Sequence, residues 1–569
     1  MRWGIAAAAL GCSMTHALAQ SAAPAPSQVG PPVIAAPAIA PRISLPQVPA
    51  GAATPHQAKT LFFTLNGFDL EGEFPELVTI RTQLAAALIG KRISVADLFG
   101  FAEKLQQAYI NAGYPLARIV TLPQEIGKQA RVKLRVIDGF VERMDLEALP
   151  PTARDRVRAL LAPLLRKPHL TQQDLERQLL LAGDTPGLVL NATFGAGKEI
   201  GGSLLILTGR YRPISATLYI DNALPQSFRS WQAVTSFSFN NLLGQGEQVS
   251  VSAAGYPNED YFTAHPTRRY LSTTLAFPIG IDGLKAELGA TNARTTPHVE
   301  PILATQGLLD RAYAKLAFDA VKRRDTLLAF SARFDATDER IDTLALNPAL
   351  PISLDRTRVL RGGFEGLWRW REAGLTFTYG GNISQGLDAF GARTADRANA
   401  LLPLSRFGAD AVFTKLDGHA EVLHSLPEDF FWSLAISGQT GFNKPMLTSE
   451  QFDITGARAL SGFTSGALPG DRAWVVRGEF GRAFAPFNAL VVTPYIFSAF
   501  GERTLENPTI LEFRRLVAKN YGVGARFNVA AFNEFLPEAY GFLEWSRREV
   551  EINPRLNGDR IFAGMVLRY

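Results

Sequence analysis

The sequence predicts two small α+β modules in tandem followed by an all-β portion, a transmembrane β-barrel of about 16 antiparallel strands. Three observations carry this. A strand, helix, helix, strand, strand order occurs twice between residues 60 and 209. From Tyr211 to Tyr569 short alternating segments separated by turn signals run on without a helical interruption. The start of the chain has the form of a secretory leader.

Composition narrows the possibilities before any element is placed. Hydrophobic residues make up 47% of the 569-residue chain and charged residues 20%, and the mean hydropathy is +0.03. No uncharged apolar run reaches the roughly 18 residues that a membrane-crossing helix needs, which leaves strands as the way across a bilayer. The net charge of +5 is scattered, not gathered into a basic block, so nucleic acid is not an expected partner. Cys12 is the only cysteine, which excludes disulfides, zinc-cysteine sites and thiol catalysis in the rest of the chain.

Arg2, the apolar stretch Ile5 to Leu10 and Ala17-Leu18-Ala19 before Gln20 predict a cleaved leader over 1–19. A lipoprotein reading through Cys12 is disfavoured, because Ala9-Leu10-Gly11 has its large residue in the wrong place. Residues 20–59 are dominated by Pro, Ala, Ser and Gly and read as a semi-extended spacer, with a tether or recognition tail as the alternative. Prolines at 24, 26, 31, 32, 37, 41, 46 and 49 argue against a long plug helix there.

The first module is placed at 60–138. Phe62 to Phe68 reads as a strand and Glu76 to Ile89 as a helix. Ser94 and Asp97 then form a capping box, before Leu98, Phe101, Ala102, Leu105 and Tyr109 at helical spacing. Leu116 to Leu122 and Val132, Leu134 and Val136, alternating with Arg131, Lys133 and Arg135, supply two further strands. The pattern repeats over 139–209: a strand from Phe140 to Leu146, a helix from Thr152 to Leu165, a second helix opened by Thr171 and Asp174, and strands at Leu188 to Phe194 and Ser203 to Leu207.

In the barrel portion, 210–569, Ile214, Ala216, Leu218 and Ile220 share one face, as do Leu271, Thr273, Leu275 and Phe277, and Leu328, Phe330, Ala332 and Phe334. A soluble sandwich would also alternate. Trp432, Tyr495, Tyr540 and Trp545 at strand ends, read as an interfacial girdle, and connections of alternating length favour the membrane barrel. The chain stops on a strand whose Ile561, Ala563, Met565, Leu567 and Tyr569 face outward, and Leu567 and Tyr569 have the form of the signal that the bacterial barrel-assembly machinery reads.

Catalytic patterns are sparse. Gly195-Ala-Gly197-Lys198 lacks the Ser or Thr of a phosphate loop, and Gly244-Gln-Gly246 lacks the third glycine of a dinucleotide site, so both read as turns. His419 and His424 have no third metal ligand. No enzyme activity, cofactor or metal is expected.

These features together resemble the two-partner secretion transporters, the haemolysin secretion and activation family, whose periplasmic modules are called POTRA domains. Further echoes are Asp221-Asn222, then Asn240-Asn241-Leu242-Leu243-Gly244-Gln245-Gly246-Glu247, then Gln451-Phe452 leading to Gly456, Gly462-Phe463 and Gly470-Asp471-Arg472. The resemblance implies a Gram-negative outer-membrane location with the POTRA domains in the periplasm, and a pore loop at 450–472 folded into the barrel. It also implies that a large secreted polypeptide of haemolysin or adhesin type is captured by the POTRA domains and passed outward without ATP, with or without activation. Outer-membrane lipid and the assembly machinery are the other expected partners. An assembly factor of the same superfamily is the alternative, disfavoured because such proteins usually carry more POTRA domains. An outer-membrane hydrolase and a passive porin rank below it.

The departures from the family pattern are specific. The arginine of the family's Val-Arg-Gly-Tyr-like loop tip is replaced by Ser461, before Gly462 and Phe463, and its aspartate partner on the barrel wall is replaced by Ala499. Losing one member of a buried ion pair costs about 3 to 5 kcal/mol, whereas losing both can be nearly neutral, so the paired loss reads as a coherent variant. The expected substitute is Arg458 or Arg472 of the loop against the inward-facing Glu479, with Arg477 beside it; a wet lumen merely lined by these charges, as by Arg333 and Arg526, is the plain alternative. For cargo capture, strand addition to the second module is expected in the groove between the Thr171 helix and the Leu188 strand, lined by Leu175, Leu179, Leu188 and Leu190.

Overall fold

In the computed structural model, residues 24–32, 42–43 and 56–569 are described, apart from 128, 257–258, 299–303, 488, 511, 530–537 and 553. The leader expected at 1–19 lies outside the described residues. A two-residue strand, β1 (Arg42–Ile43), precedes the first module. That module comprises β2 (Phe62–Glu71), α1 (Val78–Ala86), β3 (Arg92–Ser94), α2 (Val95–Asn111), β4 (Arg118–Thr121) and β5 (Gln129–Ile137). The second comprises β6 (Phe140–Asp145), α3 (Pro151–Leu161), α4 (Gln172–Gly183), β7 (Leu188–Ala196) and β8 (Gly202–Tyr211).

Both long second helices start where a side chain can satisfy the free amides of the first turn. Ser94 accepts from the Asp97 amide while Asp97 reaches back to Ser94, and Thr171 and Asp174 repeat the device. In the first module β3 adds to the edge of β2, giving the order β3-β2-β5-β4. Its apolar faces meet around Leu65, Phe68, Leu105, Tyr109 and Leu134. In the second the order is β1-β7-β8-β6, so Arg42 and Ile43 of the N-terminal segment extend the sheet, running parallel to β7 opposite Asn191 and Ala192. Leu116 of the first module enters the core of the second. The ring of His169 packs on Phe74 at 4.2 Å, and the two modules therefore meet through a packed joint.

One expectation is corrected here. Leu175 and Leu179 are 0% exposed, and Leu188 and Leu190 are 6% and 1% exposed. Together with Val157, Leu161 and Leu205 they form the core of the second module. Helix and strand amphipathicity marks which side is apolar, but here α4 packs directly on the sheet and leaves no groove for these side chains to line.

The barrel runs through β9 (Ile214–Asp221), β10 (Gln232–Asn240), β11 (Gln248–Gly255), β12 (Arg268–Ile279), β13 (Leu284–Thr295), β14 (Thr305–Lys322), β15 (Thr326–Thr343), β16 (Leu350–Trp370), β17 (Leu375–Gly386), β18 (Thr414–Ser425) and β19 (Phe430–Thr440). A loop then carries the small ladder β20 (Phe452–Asp453) and β21 (Pro469–Gly470). β22 (Arg472–Arg482), the short β23 (Phe484–Phe487), β24 (Leu490–Thr504), β25 (Arg515–Val529), β26 (Glu538–Val550) and β27 (Gly558–Arg568) complete the wall. Sixteen long antiparallel strands close when β27 pairs with β9, Leu567 opposite Leu218 and Gly564 opposite Asp221. Every other strand pair is consecutive or joined across the loop, as β19 is to β22.

Alternation sets what each face meets. Ile561, Met565 and Tyr569 are exposed on the outer face, while Phe562 and Val566 are buried on the inner one. Trp368 stacks with Trp370 on the outer face at the periplasmic rim, and Trp432 hydrogen-bonds His424 there at 3.0 Å. Tyr495 and Tyr540 do not belong to this girdle. Their parity turns them into the lumen, where Tyr495 donates to Glu544 at 2.5 Å and Tyr540 packs beside the cluster that contains Tyr219 and Tyr270.

The second module sits against the periplasmic turns. Arg156 donates to the Gly280 carbonyl at 2.8 Å and Arg177 to that of Asp282 at 2.7 Å, and Asp184 pairs with Lys285 at 2.8 Å. The turn that follows β10 organises itself: Glu247 accepts from the amides of Leu243 and Gln245, and Asn241 accepts from Gly246 while donating to the Thr152 carbonyl. Replacing Leu179 with Ala should destabilise the second module by about 2 to 5 kcal/mol through the cavity left behind. Faster limited proteolysis of that module in outer-membrane fractions checks it.

Candidate functional site

The loop between β19 and β22, residues 441–471, enters the lumen from the extracellular end and touches the inner wall along its length. At its base Glu450 is 3% exposed and pairs with Arg361 of β16 and Lys415 of β18, each at 2.8 Å. Two aspartates shape the loop from within. Asp453 accepts from the amides of Thr455, Gly466 and Leu468, closing the turn that bears the tip. Asp471 accepts from the amides of Met446 and Glu506 and from Gln451, tying the two feet of the loop together.

The tip, residues 459–463, is held by arginines of the wall. Arg477 of β22 donates to the Ser461 hydroxyl at 2.9 Å and to the Ala459 carbonyl at 3.4 Å. Arg560 of β27 donates to the carbonyls of Ser461, at 3.0 Å, and Phe463. Arg548 of β26 donates to the Gly462 carbonyl at 3.1 Å, its guanidinium lying 5.5 Å from the centre of the Phe463 ring. Asn520 adds a contact to the Ser461 hydroxyl at 3.4 Å. Gly462 fits where a Cβ would lie only 3.1 Å from Asn520 and Ser546.

Arg477 is the centre of this arrangement. It is 3% exposed, and it donates to Glu479 at 2.8 Å and to Glu544 at 2.7 Å while its guanidinium lies 4.0 Å from the centre of the Phe497 ring. Arg526 holds the other oxygen of Glu479 at 2.6 Å. Two carboxylates thus compensate two cations, and Arg477 has a donor left for the loop. Ala499 contributes no polar contact; it packs with Ile454, Leu460, Phe463 and Val475 in an apolar cluster beneath the tip. At the tip, the anchoring charge therefore sits on the wall, and the loop supplies a hydroxyl and carbonyls.

This corrects the expected substitute pair. Glu479 is held by Arg477 and Arg526, both on the wall, not by a loop arginine. Arg458 points away, its side chain 89% exposed with Glu421 at 3.5 Å. Arg472 stands at the extracellular start of β22, opposite Thr504, several residues up the strand from Glu479. Arg333, expected as lumen lining, pairs with Asp335, which also takes Arg311 and Arg361. Sequence reasoning passed over Arg548 and Arg560. The parity of Ile561 to Tyr569 already turned Arg560 inward, but the tip as its partner is not a local property.

A second occupant fills the lumen beside the loop. Pro26–Val29 form a single helical turn near the extracellular ends of β12 to β15. Ser27 donates its amide and hydroxyl to Glu339, at 2.8 and 2.9 Å. Arg268 donates twice to the Val29 carbonyl, at 3.0 and 2.7 Å, Tyr270 donates to that of Pro26, and Val29 is buried with Leu224 and Phe228. Gln28 reaches Gln451 of the loop at 3.3 Å. Two glycines make the room: a Cβ on Gly307 would lie 2.5 Å from Pro26, and one on Gly466 2.8 Å from Pro24. A cavity of about 780 Å³, lined in part by Gln28, Glu339, Asp355, Arg406 and Arg503, remains beside the segment. Among the described residues there is no group of three side chains suited to a metal ion, and no helix is long and apolar enough to cross a membrane.

A closed sixteen-stranded barrel with two POTRA modules on its periplasmic side and a loop locked inside defines an outer-membrane transporter of the two-partner secretion class. The chain belongs to the haemolysin secretion/activation protein family ShlB/FhaC/HecB, whose pattern matches residues 201–516, and the ShlB-type POTRA pattern matches residues 63–139. It is 22% identical over 428 residues to the heme/hemopexin transporter protein HuxB of Haemophilus influenzae strain 86-028NP, covering 73% of this chain and 71% of that one. In fold it is similar to CdiB from Escherichia coli, with a TM-score of 0.68 at 15% identity over 98% of this chain and 96% of the other. CdiB from Acinetobacter baumannii gives a TM-score of 0.58 at 14% identity over 89% and 90%. Proteins of this family are transporters of a partner polypeptide, not members of a known enzyme class.

Two measurements address the lock and the segment. Replacing Arg477 with Ala leaves Glu544 without its cation, which should destabilise the barrel by about 3 to 5 kcal/mol, and takes the charged donor from Ser461, which should loosen the tip by about 1.5 to 3 kcal/mol. Conductance in planar bilayers is expected to rise in that variant and to stay at the parental level in Arg458→Ala. Replacing Gly307 with Leu should push residues 24–29 from their seat, read as faster maleimide labelling of a cysteine at Ser27, with the barrel's heat-modifiable mobility in gels unchanged.

Proposed function

We propose that this transporter carries a large, unfolded exoprotein of the haemolysin or adhesin type from the periplasm through the barrel lumen to the cell surface. The observation that carries this reading is the lumen itself. Its inner wall is lined with compensated charges, and its two occupants, the loop and residues 24–32, are held by hydrogen bonds and ion pairs instead of being built into the wall. Such contacts can be exchanged for contacts with a passing chain at little net cost, whereas a strand of the wall cannot leave without orphaning its backbone. The POTRA modules supply extended sheet edges on the periplasmic side for capture by strand addition. Folding of the cargo outside supplies the driving force, so no nucleotide is consumed. Outer-membrane lipid surrounds the apolar belt, and the terminal Leu567 and Tyr569 serve recognition by the assembly machinery. HuxB, by its name, handles heme and hemopexin, and a cargo of that kind falls within this reading.

Deleting the gene in the source bacterium and comparing surface, medium and periplasm by mass spectrometry tests it. One large polypeptide should vanish from the surface and accumulate in the periplasm. General loss of outer-membrane barrels would instead assign an assembly role.

A further inference from the structure

Residues opposite each other in an antiparallel ladder share a face, so the outward side chains of β12 to β16 run in rows across the sheet. One row, with Leu288, Phe334 and Leu360, is apolar. The next toward the extracellular end reads Thr273, Ala290, Ala312, Ala336 and Arg358. Above it stand Asn292, Asp310, Asp338 and Arg356, and above those Arg269, Arg294, Leu308 and Arg340. Trp368 marks the periplasmic rim of β16, and Arg358 lies ten residues up the same strand. At about 3.3 Å per residue and a tilt of about 40° that climb is about 25 Å, the height of the apolar belt. The arginines therefore stand where acyl chains give way to headgroups on the extracellular side.

Among the described residues, five arginines at this end of the face meet three aspartates. Asp338 takes Arg356 at 3.3 Å and Arg358 at 2.8 Å, Asp342 takes Arg340 at 2.9 Å, and Asp310 is engaged by Asn292 at 2.7 Å. Arg294 has no carboxylate partner among the described residues, and its Nε is buried without a hydrogen bond. The side chains of Arg340 and Arg356 remain 47% and 48% exposed. Farther round the barrel, outward charges pair one to one: Arg515 with Glu502, Lys519 with Glu549 and Arg547 with Asp559. Beside the surplus arginines the wall is hollow. An open cavity of about 700 Å³ lies over Ala290, Ala312 and Ala336, with Asn292, Asp310 and Arg358 at its rim. Phe390, from the loop after β17, reaches over the outer wall to pack on Phe334 at 5.7 Å, and its carbonyl accepts from Arg358 at 3.0 Å. Its ring flanks the hollow and is 78% exposed.

We propose that this face binds a phosphorylated, multiply acylated glycolipid of the extracellular leaflet, of the lipid A class, with its phosphates on Arg294, Arg340 and Arg356 and an acyl chain laid in the hollow beside Phe390. Guanidinium forks match phosphate oxygens two by two. A phosphate seated here gives Arg294 the acceptor it lacks and balances the surplus cations, and a chain over the alanines fills a depression that the protein leaves open. Arg294 and Arg340 stand on strands two apart, about 10 Å across the sheet. A disaccharide with a phosphate at each end spans that separation. A glycerophospholipid with a single phosphate can satisfy one end and leaves the other bare.

The test mixes the full-length transporter, purified in detergent and stripped of lipid, with lipid A or with phosphatidylglycerol, and native mass spectrometry measures the lipid retained. The parent should hold lipid A about tenfold more tightly than phosphatidylglycerol, a margin that one charge-assisted hydrogen bond supplies. Arg294→Gln combined with Arg340→Gln should weaken lipid A by about tenfold or more. Ala312→Phe, which fills the hollow and touches no arginine, should weaken it as well, whereas Arg515→Gln combined with Lys519→Gln should leave it unchanged. The heat-modifiable mobility of each variant in gels shows that its barrel is folded. Equal retention of the two lipids by the parent, retention of lipid A at the parental level in either of the first two variants, or an equal loss in the third would each overturn the proposal. No cargo enters the assay, so its outcome is separate from that of the secretion reading.

Discussion

The interior of a bilayer offers a backbone amide no partner, and this one condition organises the membrane portion of the chain. Each strand from β9 to β27 must find both neighbours, and the first and last strands have none until they meet each other. The β9–β27 ladder closes the circuit, and Asn222 extends it beyond the last strand pair by bonding Ile561 and Ala563. Closure then dictates the rest. With lipid outside, charged side chains can be accommodated only on the inner parity, and an inner wall crowded with charges needs internal compensation. Glu479, Asp335 and Glu450 each serve cations drawn from two strands or more, and Glu544 serves Arg477.

The lock on the pore loop follows from that compensation. A loop arginine against a wall aspartate would place one charge on each side of a contact that has to open, leaving a carboxylate unpaired in the lumen whenever it does. At the tip Arg477 keeps Glu479 and Glu544 whether or not the tip is seated, and the contacts it loses when the tip lifts are hydrogen bonds to Ser461 and Ala459; the charge pair between loop and wall lies at the base, Glu450 with Arg361 and Lys415. Arg548 and Arg560 likewise grip carbonyls, which carry no net charge to strand. Ser461 and Ala499 are then two parts of one solution: the serine supplies an acceptor, and the alanine makes way for the apolar packing of Leu460 and Phe463.

The modules below the barrel form a continuous path to it. The His169–Phe74 contact joins the two, and Arg156, Arg177 and Asp184 dock the second on the periplasmic turns, so its β7 edge is presented at a fixed place beneath the lumen. The N-terminal segment links that edge to the extracellular end.

Much of this was legible in local pattern. The period-two alternation that turned Ile561 to Tyr569 outward and Arg333, Glu479 and Arg526 inward depends only on the geometry of a strand, and the Ser94–Asp97 and Thr171–Asp174 boxes depend only on a helix's first turn. The fold class could therefore be read without coordinates. Tertiary structure decided which charges meet: Arg477, Arg548 and Arg560 converge on Ser461 from three strands, and Arg458, adjacent in sequence to the tip, takes no part. It decided that Leu175 and Leu190 face a core instead of a groove, since amphipathicity marks an apolar side but not what covers it. It also decided that Ser27 lies against Glu339 and Ile43 against Ala192. Neither residue belongs to a periodic pattern, and the long closures that bring them to their partners are encoded by the partners' surroundings, not by their own.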